Sequence, residues 1–181
     1  MNYLLSHSMS YNDFIKRTQK NYDRFNEVYE KTSFLESDID FLRKIDVKLK
    51  LLIIAENWCS DSFLIGPIMH KMSEYSPQLE VLFLPRDDIL DEFNKHYLTG
   101  GKAKIPFLLF LNERNEETHR WVERTTQTFE KIMELKNQNL EKAVYYKEVL
   151  KLFLSEESIV ETAKILMQEV KRAVFITKTT L

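Results

Sequence analysis

The sequence contains few of the residues that interrupt or cross-link a chain. Among its 181 residues there are one cysteine, three glycines and four prolines. A single cysteine excludes an intramolecular disulfide, which is typical of proteins in a reducing compartment. Because glycine and proline are scarce, long helices and short connections are favoured over an all-β architecture.

An excess of charge and long apolar runs are also missing. The formal net charge is −2, from 26 basic and 28 acidic residues, so composition gives no reason to expect a nucleic acid or an anionic membrane as partner. The longest apolar run, residues 49–55, is interrupted by Lys50 and is too short to span a bilayer. The opening residues MNYLLSHSMS have neither the basic start nor the apolar core of a signal peptide. We therefore predict a cytoplasmic protein.

The middle of the chain alternates between strand and helix patterns, which predicts an α/β core. The strand–helix–strand order implies parallel strands, and a closing hairpin adds an antiparallel pair. The predicted strands cover 48–55, 79–84, 105–111 and 118–122, and the helices between them cover 60–75 and 88–97.

Helical patterns flank this core on both sides. No repeat or long linker divides the chain, so we predict a single domain over 1–181, with N-terminal helices in 1–46, a core in 47–124 and C-terminal helices in 125–181. Capping signals at Ser10, Ser37 and Ser155 mark helix starts. The predicted flanking helices cover 11–30 (with Thr18 on its apolar face), about 37–45, 126–137, 140–153 and 156–172.

The only cysteine lies in the segment Trp58-Cys59-Ser60-Asp61-Ser62, between a predicted strand and a predicted helix. Free N–H groups and a partial positive charge at a helix N-terminus stabilise a thiolate, which predicts a lowered pKa for Cys59. The negative charge of Asp61 acts in the opposite direction. The sequence leaves open which effect is larger.

Three features of the sequence carry a resemblance to a known family. Trp58 directly precedes Cys59, Pro67 follows eight residues after it, and Ile105-Pro106 precedes an apolar strand. In these features residues 48–123 resemble the thioredoxin-like proteins. The resemblance implies an α/β thioredoxin-like fold, with a central mixed sheet of about four strands flanked by helices and with extra helices at both ends. The pattern around 84–88 and 97–101 is similar to a bacterial branch with such additions.

The resemblance also implies roles for particular residues. Cys59 would be the nucleophile, and a cis peptide bond before Pro106 would turn the backbone at Ile105 toward it, where a substrate strand can pair. Trp58 would form an apolar wall beside the thiol. Pro67 would kink the helix that follows the cysteine.

Two departures from the family pattern change the expected chemistry. The position of the second, resolving cysteine is Ser62, and the buried carboxylate expected six residues before the nucleophile is replaced by Ile53. Because a serine cannot attack a mixed disulfide, an external thiol would have to resolve it. No proton relay is needed where there is no second thiol.

Several residues near the motif have two interpretations. Ser62 either donates a hydrogen bond to the Cys59 sulfur or caps the helix, and Asp61 is either a helix-capping residue or an acid–base group. The run Arg86-Asp87-Asp88 follows a central strand, where ligands of α/β sheets bind. It is equally consistent with a solvated cluster of local ion pairs.

No cofactor or metal is predicted. The spacing of His70, His96 and His119 does not match a zinc site. A lone cysteine can ligate an iron–sulfur cluster in C-G-F-S glutaredoxins, but this chain has C-S-D-S followed by the thioredoxin-type proline.

The sequence therefore supports a main functional hypothesis and two alternatives. The first is thiol–disulfide exchange, or redox homeostasis, through Cys59 alone, with a protein disulfide or a low-molecular-weight thiol as partner. The second is a redox-inactive module that binds a protein or peptide. A redox sensor that dimerises through Cys59 is a further alternative. The sequence determines neither the substrate nor the oligomeric state.

Overall fold

A computed structural model describes residues 1–17 and 21–180. Its centre is a mixed sheet of four strands in the order β2-β1-β3-β4, so the predicted α/β architecture is confirmed. The strands are β1 (Leu49–Ala55), β2 (Leu79–Pro85), β3 (Phe107–Leu111) and β4 (Glu117–Val122). The helices are α1 (Asn2–Ser6), α2 (Tyr11–Lys16), α3 (Tyr22–Lys31), α4 (Glu36–Arg43), α5 (Ser60–Ser73), α6 (Leu90–His96), α7 (Thr126–Asn137), α8 (Lys142–Phe153) and α9 (Glu156–Thr180), with a 3₁₀ turn over Arg86–Ile89 before α6.

The central strand β1 is buried on both of its faces. Leu51 and Ile53 point into the core shared with α5 and α9, whereas Leu52 and Ile54 point into a second core on the opposite face. Side chains alternate along a strand, so a continuously apolar sequence is what a strand covered on both faces requires. This is why β1 occupies the middle of the sheet.

The direction of β3 corrects the sequence prediction. β1 pairs with β2 in parallel, as predicted, but β3 runs antiparallel to β1 as well as to β4. The physical reason is that residues 86–106 return the chain to the end of the sheet at which β2 finishes, as the hydrogen bond of 3.3 Å from Arg86 to the Ala103 carbonyl shows. The chain therefore enters β3 beside the end of β1.

The N-terminal helices also differ from their prediction. The helix predicted over 11–30 is two helices, α2 and α3, and residues 18–20, including Thr18, lie outside the described residues. Ser10 caps α2 as predicted, accepting a hydrogen bond of 3.2 Å from the Asp13 N–H. Ser37 does not cap α4, because that helix begins one residue earlier, after Leu35. Helix α1 was not predicted, since five residues are too few to show a periodic pattern.

The C-terminal helices cover one face of the sheet. Helix α9 has 25 residues and extends beyond its predicted end at residue 172. Its buried side chains, such as Leu166 and Val170, join the same core cluster as α5 and β1. Ser155 accepts a hydrogen bond of 3.2 Å from the Ser158 N–H, which confirms the predicted cap.

Helix α5 packs closely against β2 in the middle of its length. A Cβ added to Gly66 would lie 3.3 Å from Cε1 of Phe83, so a glycine allows this approach of helix and strand. The helix continues from Ser60 to Ser73 with Pro67 inside it. The kink at Pro67 stays a prediction. No helix among the described residues has both the length and the apolar character needed to cross a membrane.

Candidate functional site

The backbone places Cys59 between β1 and α5. Cys59 is the N-cap residue of α5, with an extended conformation, and its N–H donates to the Glu56 carbonyl at 3.1 Å. The Cys59 carbonyl accepts the Ser62 N–H at 3.1 Å, which closes the first turn of the helix. The thiol is therefore held at the helix N-terminus, and Ser60 follows it as the first helical residue.

The thiol faces the loop that precedes β3. Cys59 Sγ lies 3.9 Å from the Ile105 carbonyl oxygen, within the distance for a weak S–H donor, and the Ile105–Pro106 peptide bond is cis. Ile105 is 7 % exposed. Ile105 follows Cys59 by 46 residues in the sequence, and the antiparallel direction of β3 is what brings the Ile105–Pro106 loop to the thiol.

The pKa of Cys59 is raised, whereas the helix N-terminus alone predicts a lowered value. Burial of the thiol, followed by the negative charge of Asp61, raises the pKa of Cys59 above its ordinary value. Backbone N–H groups of Asp61 and Ser62 lower this pKa, but by less. Desolvation and a neighbouring carboxylate therefore outweigh the helix terminus.

Asp61 is held by a cation that the sequence analysis did not identify. Its Oδ2 accepts a hydrogen bond of 2.8 Å from Arg124, which lies between β4 and α7. The side chains of Asp61 and Arg124 are 7 % and 16 % exposed. Burial raises the pKa of Asp61 to about 6, although Arg124 acts to lower it. Asp61 is thus an ion-paired, buried carboxylate rather than a capping residue.

The surroundings of Arg124 add further charged and apolar groups. Its guanidinium carbon lies 5.0 Å from the ring centroid of Phe129. The neighbouring Glu123, at φ 64°, accepts two hydrogen bonds from Lys104, and its N–H donates to the Pro106 carbonyl at 2.8 Å. A lone arginine far along the chain gives no local sequence signal for this arrangement.

Ser62 occupies the position of the missing second thiol. It is 1 % exposed, and its Oγ has no hydrogen-bond partner among the described residues. It lies close enough to Cys59 to lower the pKa of that thiol, though its Oγ and Sγ do not form a hydrogen bond of acceptable geometry. Ile53, at the position of the family's carboxylate, is fully buried in the apolar core.

Trp58 provides an exposed aromatic surface next to the thiol. It is 56 % exposed, and the Arg86 guanidinium carbon lies 5.4 Å from its ring centroid. Arg86 pairs with Asp87, and Asp88 pairs with Arg17. The run 86–88 therefore forms one ion pair within itself and one with the distant Arg17, so it agrees with the ion-pair interpretation only in part.

The described residues contain no group of three or more histidine, cysteine, aspartate or glutamate side chains arranged to hold a metal ion.

Glu56 is buried near the motif, and its Oε1 accepts a hydrogen bond from the Asp87 N–H at 2.8 Å. Burial raises the pKa of Glu56. The hydrogen bond between Glu56 and Asp87 fixes the loop after β1 to the segment after β2.

Comparisons with known proteins agree with this geometry. The family model described as Thioredoxin matches residues 8–141, more than half of the chain. Comparison with curated proteins finds no match. Among solved structures, a protein of unknown function from Pseudomonas aeruginosa has a TM-score of 0.67 at 16% identity, covering 92% of this chain and 96% of that chain. An HIV epitope scaffold has a TM-score of 0.63 at 18% identity, covering 92% and 97% of the two chains. These two structures show the shared fold alone. On the family match, the chain belongs to the thioredoxin family.

Proposed function

We propose that the protein carries out thiol–disulfide exchange through the single thiol of Cys59. The observation that carries this proposal is the position of Sγ, 3.9 Å from the Ile105 carbonyl and beside the cis bond to Pro106. An extended substrate can pair with the backbone at this loop while its disulfide meets the thiol. The exposed ring of Trp58 supports the substrate on the other side.

The reaction takes place in two balanced steps. The Cys59 thiolate attacks one sulfur of a disulfide, the S–S bond of the substrate breaks, and the released thiolate takes up a proton from solvent. The product is a mixed disulfide between Cys59 and the substrate. An external thiolate then attacks the substrate sulfur, forming a new disulfide and releasing Cys59. Ser62 cannot replace the external thiol.

The raised pKa of Cys59 favours a long-lived mixed disulfide. A thiol with a high pKa is a poor leaving group, so the second step is slow. The same pKa leaves little thiolate near neutral pH, so the first step is slow as well. We therefore infer a cytoplasmic protein that attacks a protein disulfide or a low-molecular-weight disulfide, releases one half of it as a thiol, and retains the other half on Cys59 until an external thiol removes it.

The test is to incubate the protein with glutathione disulfide and to measure its mass under non-reducing conditions. We expect one glutathione adduct per chain, absent from Cys59→Ser and removed by added thiol. In an insulin-reduction assay with thioredoxin reductase we expect activity close to background. Failure to form any adduct at alkaline pH would overturn the proposal, and so would rapid insulin reduction.

A redox-inactive binding module is the second candidate. The observation that favours it is the burial of the thiol beside Asp61, which raises the pKa of Cys59. In that case the exposed Trp58 and the Ile105–Pro106 loop would bind a peptide without a covalent step. Partner binding that survives Cys59→Ala supports this function, whereas binding that is lost under reducing conditions supports exchange.

A further inference from the structure

The outer edge of β2 lies away from Cys59 and is only partly covered. β2 is an edge strand of the sheet, and a single residue of the N-terminal segment, Met9, pairs with it. Met9 and Phe83 exchange two backbone hydrogen bonds, with N···O distances of 2.7 and 2.9 Å, in antiparallel geometry. This edge therefore already accepts one extended residue.

The pairing stops at Met9 because the chain turns away. Two residues later an extended chain would lie opposite Val81, but Ser10 caps α2 and Tyr11 begins that helix. Backbone groups of alternate residues in a strand point to the same side. Since those of Phe83 point outward to Met9, the N–H and C=O of Val81 point outward too. Among the described residues neither group has a hydrogen-bond partner outside the sheet.

A groove of about 1010 Å³ begins beside the first half of β2 and continues past the start of β1 to Arg114 in the turn between β3 and β4. It is lined by Tyr11, His70, Ser73, Leu79 and Val81, among others, and by no residue of the Cys59 site. Tyr11 is 5 % exposed, and its hydroxyl is buried with no hydrogen-bond partner among the described residues. Its ring stacks on His70, with centroids 4.2 Å apart. The hydroxyl is thus enclosed, and it is the rest of the Tyr11 side chain that contributes to the wall of the groove.

A second copy of this chain does not fit the edge. In a two-fold antiparallel pairing centred on Val81, Leu79 of one copy would lie opposite Phe83 of the other, where Met9 is already bound. Shifted by one position, Glu80 would lie directly opposite Glu80, and Phe83 opposite Pro77. Like charges in opposite positions are unfavourable, and proline lacks the N–H that the pairing needs.

We propose that this edge binds an extended peptide segment of another protein, which adds a strand next to β2. One residue of the segment pairs with Val81 through two backbone hydrogen bonds, in line with Met9. The side chain of that residue lies on the same face of the sheet as Val81 and Tyr11. The residue opposite Glu80 is not acidic, because it would meet that carboxylate directly. This site is independent of the thiol chemistry.

The experiment uses the full-length protein and random dodecapeptides displayed on phage. Peptides enriched on the immobilised protein are synthesised with a fluorescent label, and their affinity is measured by anisotropy. Val81→Pro removes the outward N–H at a position where an edge strand tolerates proline, and Val81→Thr is the matched control that retains it. We expect Val81→Pro to weaken binding about tenfold and Val81→Thr to leave it unchanged.

A second measurement keeps the test decisive if Val81→Pro unfolds. Hydrogen exchange at the Val81 amide should be fast in the free protein and slow with peptide, whereas the Phe83 amide should be protected in both. The proposal is overturned if no peptide is enriched, or if Val81→Pro binds the enriched peptides as tightly as the wild type. It is also overturned if binding requires a free Cys59 thiol, or if the protein forms a dimer that Val81→Pro abolishes.

Discussion

Arg124 donates a hydrogen bond of 2.8 Å to Asp61, a buried carboxylate two residues beyond the only thiol of the chain. The pair joins the start of α5 to the end of β4, so the environment of Cys59 depends on a cation from a distant part of the sequence. The negative charge of Asp61 raises the pKa of Cys59. The positive charge of Arg124 keeps Asp61 ionised and offsets part of the field of that carboxylate at the thiol. The reactivity of the thiol should therefore respond to both residues.

Asp61→Asn should increase the reactivity of Cys59. Removing the carboxylate removes the charge that raises the pKa of the thiol, so alkylation by iodoacetamide near neutral pH should become severalfold faster. Burial still raises the pKa, so the thiol should not reach the acidity of a fully activated cysteine. The control Asp91→Asn changes an exposed acid on α6 and should leave the rate unaltered.

The pH profile of alkylation gives a second measure of the same interaction. Asp61 has a pKa of about 6, so it is neutral below that pH and no longer opposes ionisation of Cys59. In the wild type, log rate against pH should be shallower near pH 6 than above it. A straight profile in both the wild type and Asp61→Asn would contradict this coupling.

Arg124→Gln should destabilise the fold in a pH-dependent manner. Removing one partner of a buried ion pair leaves the other charge without compensation, at a cost of about 3 kcal/mol. Without Arg124, which acts to lower it, the pKa of Asp61 rises above about 6. The carboxyl then binds a proton in mildly acidic solution, so the loss should be smaller at pH 5 than at pH 8. Urea unfolding at the two pH values measures this, and an equal loss at both would show that Asp61 is not the group left uncompensated.

Ser62→Cys should give the protein a second thiol in the position of the family's resolving cysteine. Ser62 Oγ has no partner among the described residues, so the substitution breaks no hydrogen bond and should change stability by less than about 1 kcal/mol. We expect the variant to form an intramolecular disulfide and to reduce insulin. The control is Ser60→Cys, which places the second thiol directly after Cys59. This variant should neither form the intramolecular disulfide nor reduce insulin.

His119 should make the fold less stable in mildly acidic solution. Its Nε2 lies 3.1 Å from Glu169 Oε2, its ring stacks on Phe110 at 4.2 Å, and burial lowers its pKa below the ordinary 6.5. The unfolded chain then binds a proton that the folded chain does not, so stability is lost as the pH falls below about 6.5. His119→Gln should remove this contribution to the pH dependence of urea unfolding. A variant whose unfolding depends on pH as the wild type does would reject this role for His119.

Cys59, Pro106 and the four strands could be predicted because each has a local signal, a residue type or a periodicity within a few positions. Arg124 could not, because it lies 63 residues from Asp61 and its role depends on how β4 returns to α5. The direction of β3 was predicted wrongly for a related reason, since the order of elements does not show at which end of the sheet a loop returns. The raised pKa of Cys59 follows from burial, which the sequence does not measure.

The length and position of α9 have a consequence for the synthesis of the protein. This helix supplies Leu166, Val170 and Ala173 to the core beneath α5, all with no exposed surface, yet it follows the matched family segment, which ends at residue 141. The ribosome releases it after every strand of the sheet. The part of the core between α5 and α9 therefore stays uncovered until α9 has left the ribosome, and we expect the nascent chain to be prone to aggregation during that interval.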